Sequence, residues 1–221
     1  HAYVHAPNPP LSFTAFIVSA VARSASGHPE VHAYRNWRGK LVIHHHVDVA
    51  TLVEVATPEG SFPLAHLVRD ADRRSLSEIS SEIGDIKRDP SAGGSGRLFQ
   101  KTAPWVSRLP GAVGFFYGLA ARSVRLRQMT GTVSVTSVGM FGGGGGFGIG
   151  HPTVQTLTVL VGGISERPWI RDGQIVPRKI LDLTVTVDHN VVDGAPTARF
   201  VADLRQMIES PDWISGPSGA D

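Results

Sequence analysis

Apolar and polar positions alternate over residues 181–187, where Leu181, Leu183, Val185 and Val187 are interleaved with Asp182, Thr184 and Thr186. A period of two predicts a strand with one buried face. The strand runs into Asp188-His189, and Asp193-Gly194 follows before the period changes. From Ala195 to Ile208 the spacing is helical, with Phe200, Leu204 and Ile208 as the inner stripe and Ser210-Pro211 as the stop. Near the start of the chain, Phe13, Phe16, Ile17, Ala20 and Val21 recur three and four apart behind Ser12. They predict a largely buried helix capped by Ser12 and ended near Gly27. A further helix begins at Ser75, with Leu76, Ile79, Ile83 and Ile86 on its apolar face and Glu78 placed for a capping box.

The remaining pattern predicts strands over 41–45, 47–56, 61–68, 131–139 and 154–161. Residues 35–40 read as a basic hairpin-like turn, Thr57-Pro58-Glu59-Gly60 as a turn, Gly162-Gly163-Ile164 as the exit from the strand before it, and Arg171-Asp172-Gly173 as a hairpin turn. Residues 1–10 form a Pro-rich leader, 89–96 a surface loop within one domain, and 215–221 a flexible tail, leaving 11–214 as the domain proper. Residues 98–121 suggest two helices parted at Pro110, the second carrying Phe115-Phe116-Tyr117 as core or as a subunit contact. Arg122, Arg125 and Arg127 form a local basic cluster, read as a solvated surface.

Composition narrows the function classes. Cys is absent, which excludes disulfides, thiolate catalysis and cysteine-held clusters. A net charge of +2 with interspersed signs gives no basic stripe for nucleic acid, so no nucleic-acid partner is expected. No apolar run is long enough to span a bilayer and no signal peptide is visible, so a cytoplasmic location with no membrane contact is expected. The chain opens at His1, and an upstream segment is expected.

Two clusters draw attention. In a strand, only His44 and His46 of the His44-His45-His46 run would share a face, and no acidic or histidine partner stands at ligand spacing. No metal is therefore expected; a wet strand face or a subunit contact is. The glycine run 142–146 opens no helix and lacks phosphate-loop spacing, so it reads as a place where chains approach closely. The stronger candidate is His189. An imidazole that titrates near neutrality, held at the end of a strand, suits proton transfer. On composition alone a structural histidine is the commoner case. The strand 131–139 supplies hydroxyls, with Ser134 and Thr136 on one face and Val133 and Val135 on the other.

His189-Asn190-Val191-Val192-Asp193-Gly194 matches the His-x-x-x-Asp-Gly signature of the catalytic domain of dihydrolipoamide acyltransferases of 2-oxoacid dehydrogenase complexes, which chloramphenicol acetyltransferase shares. Asn190 stands where that family usually has arginine. Three more segments resemble the family in order: Phe13-Thr14-Ala15-Phe16 with residues 28–34, Arg69-Asp70-Ala71-Asp72 with Ser75-Leu76, and residues 131–142.

The resemblance implies an α/β fold, α+β and two-layered, with a chloramphenicol acetyltransferase-like mixed sheet and flanking helices. It implies homotrimers, with larger cages of trimers in some members, and a site at the subunit interface that coenzyme A and a lipoyl arm enter from opposite sides. Coenzyme A or acyl-CoA is then a substrate, and the lipoyl group comes from another domain or chain, so a lipoyl-bearing protein is an expected partner. His189 takes the role of general base, Thr136 or the adjacent Ser137 that of the transition-state hydroxyl, with Thr136 favoured, and Asp193 that of the residue supporting the turn. The alternatives are a stand-alone coenzyme A acyltransferase acting on a small alcohol or amine, and a non-catalytic scaffold subunit.

Overall fold

The computed structural model describes residues 11–57, 60–90, 111, 114, 115, 118, 123, 128–137, 144–150 and 153–214. The expected leader, most of the linker 89–96, most of the helix pair over 98–121, the arginine cluster, the first glycines of the run and the tail lie outside the described residues.

Helix α1 (Phe13–Ser26) starts where Ser12 accepts a hydrogen bond from the Ala15 N–H, and it ends at Gly27. A short 3-10 turn (Pro29–His32) leads into a small hairpin, β1 (Tyr34–Arg35) and β2 (Leu41–Val42), closed over the predicted basic turn. Strands β3 (Val49–Thr57) and β4 (Gly60–Val68) pair antiparallel, with Thr57 opposite Gly60. Helix α2 (Leu76–Arg88) carries the capping box between Ser75 and Glu78 in full. Strand β5 (Val133–Ser137) follows, then β6 (Leu157–Arg171), β7 (Gln174–Val187) and helix α3 (Gly194–Glu209). A 3-10 turn (Pro211–Ile214) brings Trp213 back onto α1, where it stacks on Phe16 with ring centroids 5.8 Å apart.

Five strands form one sheet in the order β4-β3-β5-β6-β7. β5 runs parallel to β3 and β6, and the outer pairs are antiparallel, so the sheet is mixed. Val49, Val53, Val55, Val133, Val135, Leu157, Val159 and Val161 point to one face and join Ile17, Val18, Val21, Ile79, Ile83, Phe200 and Leu204 in a single core. Helix α1 lies at its centre, against α2, α3, β3 and β5. Burial of this apolar surface is the main stabilising term.

Two sequence expectations change. The His44-His45-His46 run is not in a strand: β2 ends at Val42 and the histidines sit in a bend, because the chain must turn from the small hairpin into β3. Nor do Gly162-Gly163 end a strand. β6 continues through them to Arg171, with an irregularity in register between Val161 and Ile164.

That irregularity has a cause on the other face. Residues 144–150 lie across β6 and β7: the Gly163 N–H donates to the Gly146 carbonyl at 3.1 Å, and Thr184 Oγ1 donates to the Gly148 carbonyl at 2.7 Å. A Cβ on Gly148 would strike the Leu160 side chain, and one on Gly162 would strike the Gly146 carbonyl. The close approach expected of the glycine run is thus present, against the sheet. Asp182, 4% exposed, fastens it by accepting from the Gly146 N–H at 2.9 Å and from Arg167.

Candidate active site

Thr136 and His189 owe their positions to the ladder. Val133 of β5 is level with Leu157 of β6, which is level with Val187 of β7. His189 lies just beyond Val187, past one end of the sheet. Thr136 lies three residues on from Val133 in the opposite sense and two strands away. At about 3.3 Å per residue and 4.8 Å per strand, Thr136 and Val187 are already roughly 14 Å apart, and His189 is farther still. The structure therefore does not bring the two into one site within a chain.

The hydroxyl side is a pair of hollows. One cavity of about 200 Å³ opens on the sheet face away from the helices and is lined by Ala50, Leu52, Ala65, Ser134, Thr136 and Leu160 among others. A second, of about 280 Å³, lies at the end of β5 between Thr14, Glu54, Phe62, Lys87, Thr136 and Ser137 among others. Thr136 and Leu52 line both. Ser134 and Thr136 share the open face, as the alternation predicts, while Ser137 borders only the second of these cavities.

The histidine side is an exposed turn. The His189 side chain is 78% exposed, and its Nδ1 is 3.6 Å from Asp193 Oδ1, too long for a hydrogen bond. Asp193 begins α3 without a side-chain cap bond, and its carbonyl accepts from Thr197 Oγ1 at 2.8 Å. The turn itself is held by Asp188. Its Oδ1 accepts from the Asn190 N–H at 2.9 Å and from Asn190 Nδ2 at 2.8 Å, and its carbonyl accepts from the N–H groups of Val191 and Val192. Arg35 of β1 donates to the Asn190 carbonyl at 3.0 Å. No local pattern points to Arg35, since the partners are 155 positions apart.

Arg69-Asp70-Ala71-Asp72 does structural work. Asp72 Oδ1 accepts from the Val47 N–H at 2.9 Å, and Asp48, 1% exposed, accepts from Arg69 at 2.6 Å and from the Asp70 N–H at 2.9 Å. The segment pins the start of β3, beside which β5 pairs. His44 is buried and packs 5.5 Å from Tyr34 and 6.4 Å from His32, ring to ring. Among the described residues, no group of three His, Cys, Asp or Glu side chains is placed to hold a metal ion, and no helix is long and apolar enough to cross a membrane.

Residues 2–94 and 119–215 match the family described as 2-oxoacid dehydrogenases acyltransferase (catalytic domain). The chain belongs to this acyltransferase family. Its sequence is 27% identical over 201 residues to the dihydrolipoyllysine-residue succinyltransferase component of the 2-oxoglutarate dehydrogenase complex of Haemophilus influenzae, covering 91% of this chain and 41% of that protein. It is 26% identical over 204 residues to the lipoamide acyltransferase component of the branched-chain alpha-keto acid dehydrogenase complex of Pseudomonas putida, covering 91% and 40%. The chain thus spans about two fifths of the length of these relatives. In three dimensions it resembles the dihydrolipoamide acetyltransferase of Azotobacter vinelandii, with a TM-score of 0.64 at 23% identity over 94% of this chain and 72% of that one. A truncated catalytic core of the 2-oxoacid dehydrogenase multienzyme complex from Thermoplasma acidophilum gives 0.61 at 24%, over 95% and 79%. These likenesses establish the mixed sheet with flanking helices as the acyltransferase fold.

Proposed function

We propose that this acyltransferase domain moves an acyl group between coenzyme A and a thiol, the dihydrolipoyl group of another domain or chain being the acceptor. Neutral His189 takes the proton of the attacking thiol. The sulfur bonds to the acyl carbon, the bond to the departing sulfur breaks, and His189 returns the proton to that sulfur. Thr136 Oγ1 donates to the oxyanion of the tetrahedral intermediate. Asp193, whose carboxylate stands 3.6 Å from Nδ1, supports the turn that carries His189.

One observation carries this reading: within one chain the base lies beyond the edge strand, more than roughly 14 Å from the hydroxyl on the middle strand, so each is read as half of a site. A ring of identical subunits brings His189 of one copy to Thr136 of the next. The homotrimer is the ring proposed here. The place of Thr136 between two cavities supports the same reading, because two substrates must meet there from different directions. Acyl preference is then a matter of cavity lining. The relatives named for succinyl and branched-chain complexes match this chain almost equally, at 27% and 26%.

The test is complementation. His189→Ala and Thr136→Ala are prepared separately, unfolded, mixed and reassembled. If each site draws on two chains, inactive parents give mixed rings with about a quarter of the wild-type sites restored. No recovery in rings shown to be mixed would place both groups in one chain. A His189→Ala protein as active as the wild type would remove His189 as the base, and a wild-type assembly with no transfer activity would leave the scaffold reading in its place.

A further inference from the structure

Both residues flanking His189 are tied to one distant stretch of chain, residues 33–35. On one side the Asp188 N–H donates to the Thr156 carbonyl at 2.8 Å, and Thr156 Oγ1 donates in turn to the Ala33 carbonyl. Thr156 is 3% exposed, so water cannot replace that hydroxyl, and removing it leaves a buried carbonyl without its donor. On the other side Arg35 Nη2 donates to the Asn190 carbonyl at 3.0 Å. Residues 33–35 are a firm anchor: Ala33 and Tyr34 are 0% and 4% exposed, and Tyr34 and Arg35 pair with Val42 and Leu41. These bonds fix the backbone at residues 188 and 190 and leave the ring between them open to solvent. A base that must reach into a neighbouring subunit needs this combination, a fixed origin and a free imidazole. An error of 1 Å in placing a reacting group costs about a hundredfold in rate.

We propose that Thr156 and Arg35 are positioning residues for His189, clamping the two sides of its turn to the 33–35 stretch so that the ring is presented to the adjoining subunit in one direction. The proposal rests on the acyl-transfer reading.

The assembled protein is assayed with acetyl-CoA and free dihydrolipoamide, comparing the wild type with Thr156→Val, Thr156→Ser, Arg35→Ala and Arg35→Lys. Thr156→Val is expected to lower kcat about tenfold or more with KM for acetyl-CoA changed by less than about twofold, since binding groups stay and only the base is displaced. Thr156→Ser keeps the hydroxyl and most of the rate. Arg35→Ala loses several-fold in kcat, and added guanidinium ion restores part of it. Should Thr156→Val fail to assemble, Thr156→Ser and the guanidinium rescue of Arg35→Ala decide the matter. Unchanged kcat in Thr156→Val and Arg35→Ala overturns the proposal, as does a loss that lies in KM or that guanidinium leaves untouched. A wild type inactive with acetyl-, succinyl- and branched-chain acyl-CoA alike overturns the acyl-transfer reading and this proposal with it. An active wild type, dead as His189→Ala but indifferent to the clamp variants, overturns the clamp alone.

Discussion

Thr136 lies in the middle strand of a five-stranded sheet, whereas His189 stands on a turn beyond its edge strand. The hydroxyl's neighbours Val133 and Val135 are 0% and 1% exposed, and its strand is bracketed by β3 and β6, so packing and ladder set its place. The histidine is held by long-range bonds to its flanking backbone and by almost no packing. The difference suits the two tasks proposed for them. A donor to a developing oxyanion gains from not moving, because its dipole must be aimed before charge appears. A base that exchanges protons with two thiols in turn must stay accessible. Under the proposed function, a chain that holds these two groups more than roughly 14 Å apart needs another copy to complete the site.

The largest effect that separates the halves is at His189. His189→Ala should lower kcat by about a thousandfold, within the 10²–10⁴ range of general acid–base catalysis, in coupled assays with acetyl-CoA and dihydrolipoamide. Its melting temperature should be close to that of the wild type, since an exposed ring contributes little packing. At the other half, Thr136→Ala should cost about a hundredfold in kcat and Thr136→Ser should recover most of it, because only the donor matters. Ser137→Ala should change little, as Ser137 borders the second cavity alone of the two that Thr136 lines. Equal losses in Ser137→Ala and Thr136→Ala would erase the distinction between the two hydroxyls.

How legible each half was in the sequence follows the same divide. The strand carrying Thr136 announces itself by alternation, as do the helices beneath it. Ser12, and Ser75 with Glu78, mark the starts of α1 and α2 within a residue because capping is a local bond. The motif at His189 is also legible, but what holds it is not. Thr156 bonds a residue 123 positions away and Arg35 one 155 positions away, and no periodicity encodes such pairs. Asp182 looked like an outward-facing polar position and is buried, because the glycine run covers that part of the sheet. Gly162-Gly163 reads as a strand exit for the same reason: glycine there answers a close neighbour from a distant segment, and a pair of glycines after an apolar run looks locally like a turn.

Acid should disturb the histidine half before the hydroxyl half. His32 is buried, and burial, followed by the neighbouring His44, draws its pKa from 6.5 down to about 4. It immediately precedes the 33–35 stretch that holds the turn. Between those two values the unfolded chain takes up a proton that the folded chain refuses. Stability is therefore full above pH 6.5, falls as pH drops, and levels off near 4, by a total on the order of 3 kcal/mol. Glu82, beneath β4, is a carboxylate of the other kind. Burial raises its pKa, but hydrogen bonds from His66 and Arg74 outweigh that and hold it below 4.5, so its contribution is present above 4.5 and is lost as pH falls below that. Urea midpoints at pH 7 and pH 5 should differ in the wild type, and the difference should shrink in His32→Leu. A difference that is unaltered by the substitution would assign the acid sensitivity elsewhere.

Asp193 bears on whether the exposed turn is a finished structure or one awaiting its partner. In the single chain its carboxylate stands 3.6 Å from His189 Nδ1, with both groups more than three quarters exposed. An ion pair of that kind contributes little, because water screens it and two mobile side chains must be held together. If the pair stays as open in the assembly, Asp193→Asn should change kcat by less than about threefold. If a neighbouring subunit covers the turn and expels water, the same carboxylate becomes the group that fixes the imidazole tautomer, and the loss should exceed about tenfold. Measuring Asp193→Asn in the intact assembly therefore reads how dry the histidine half becomes when the second half closes over it.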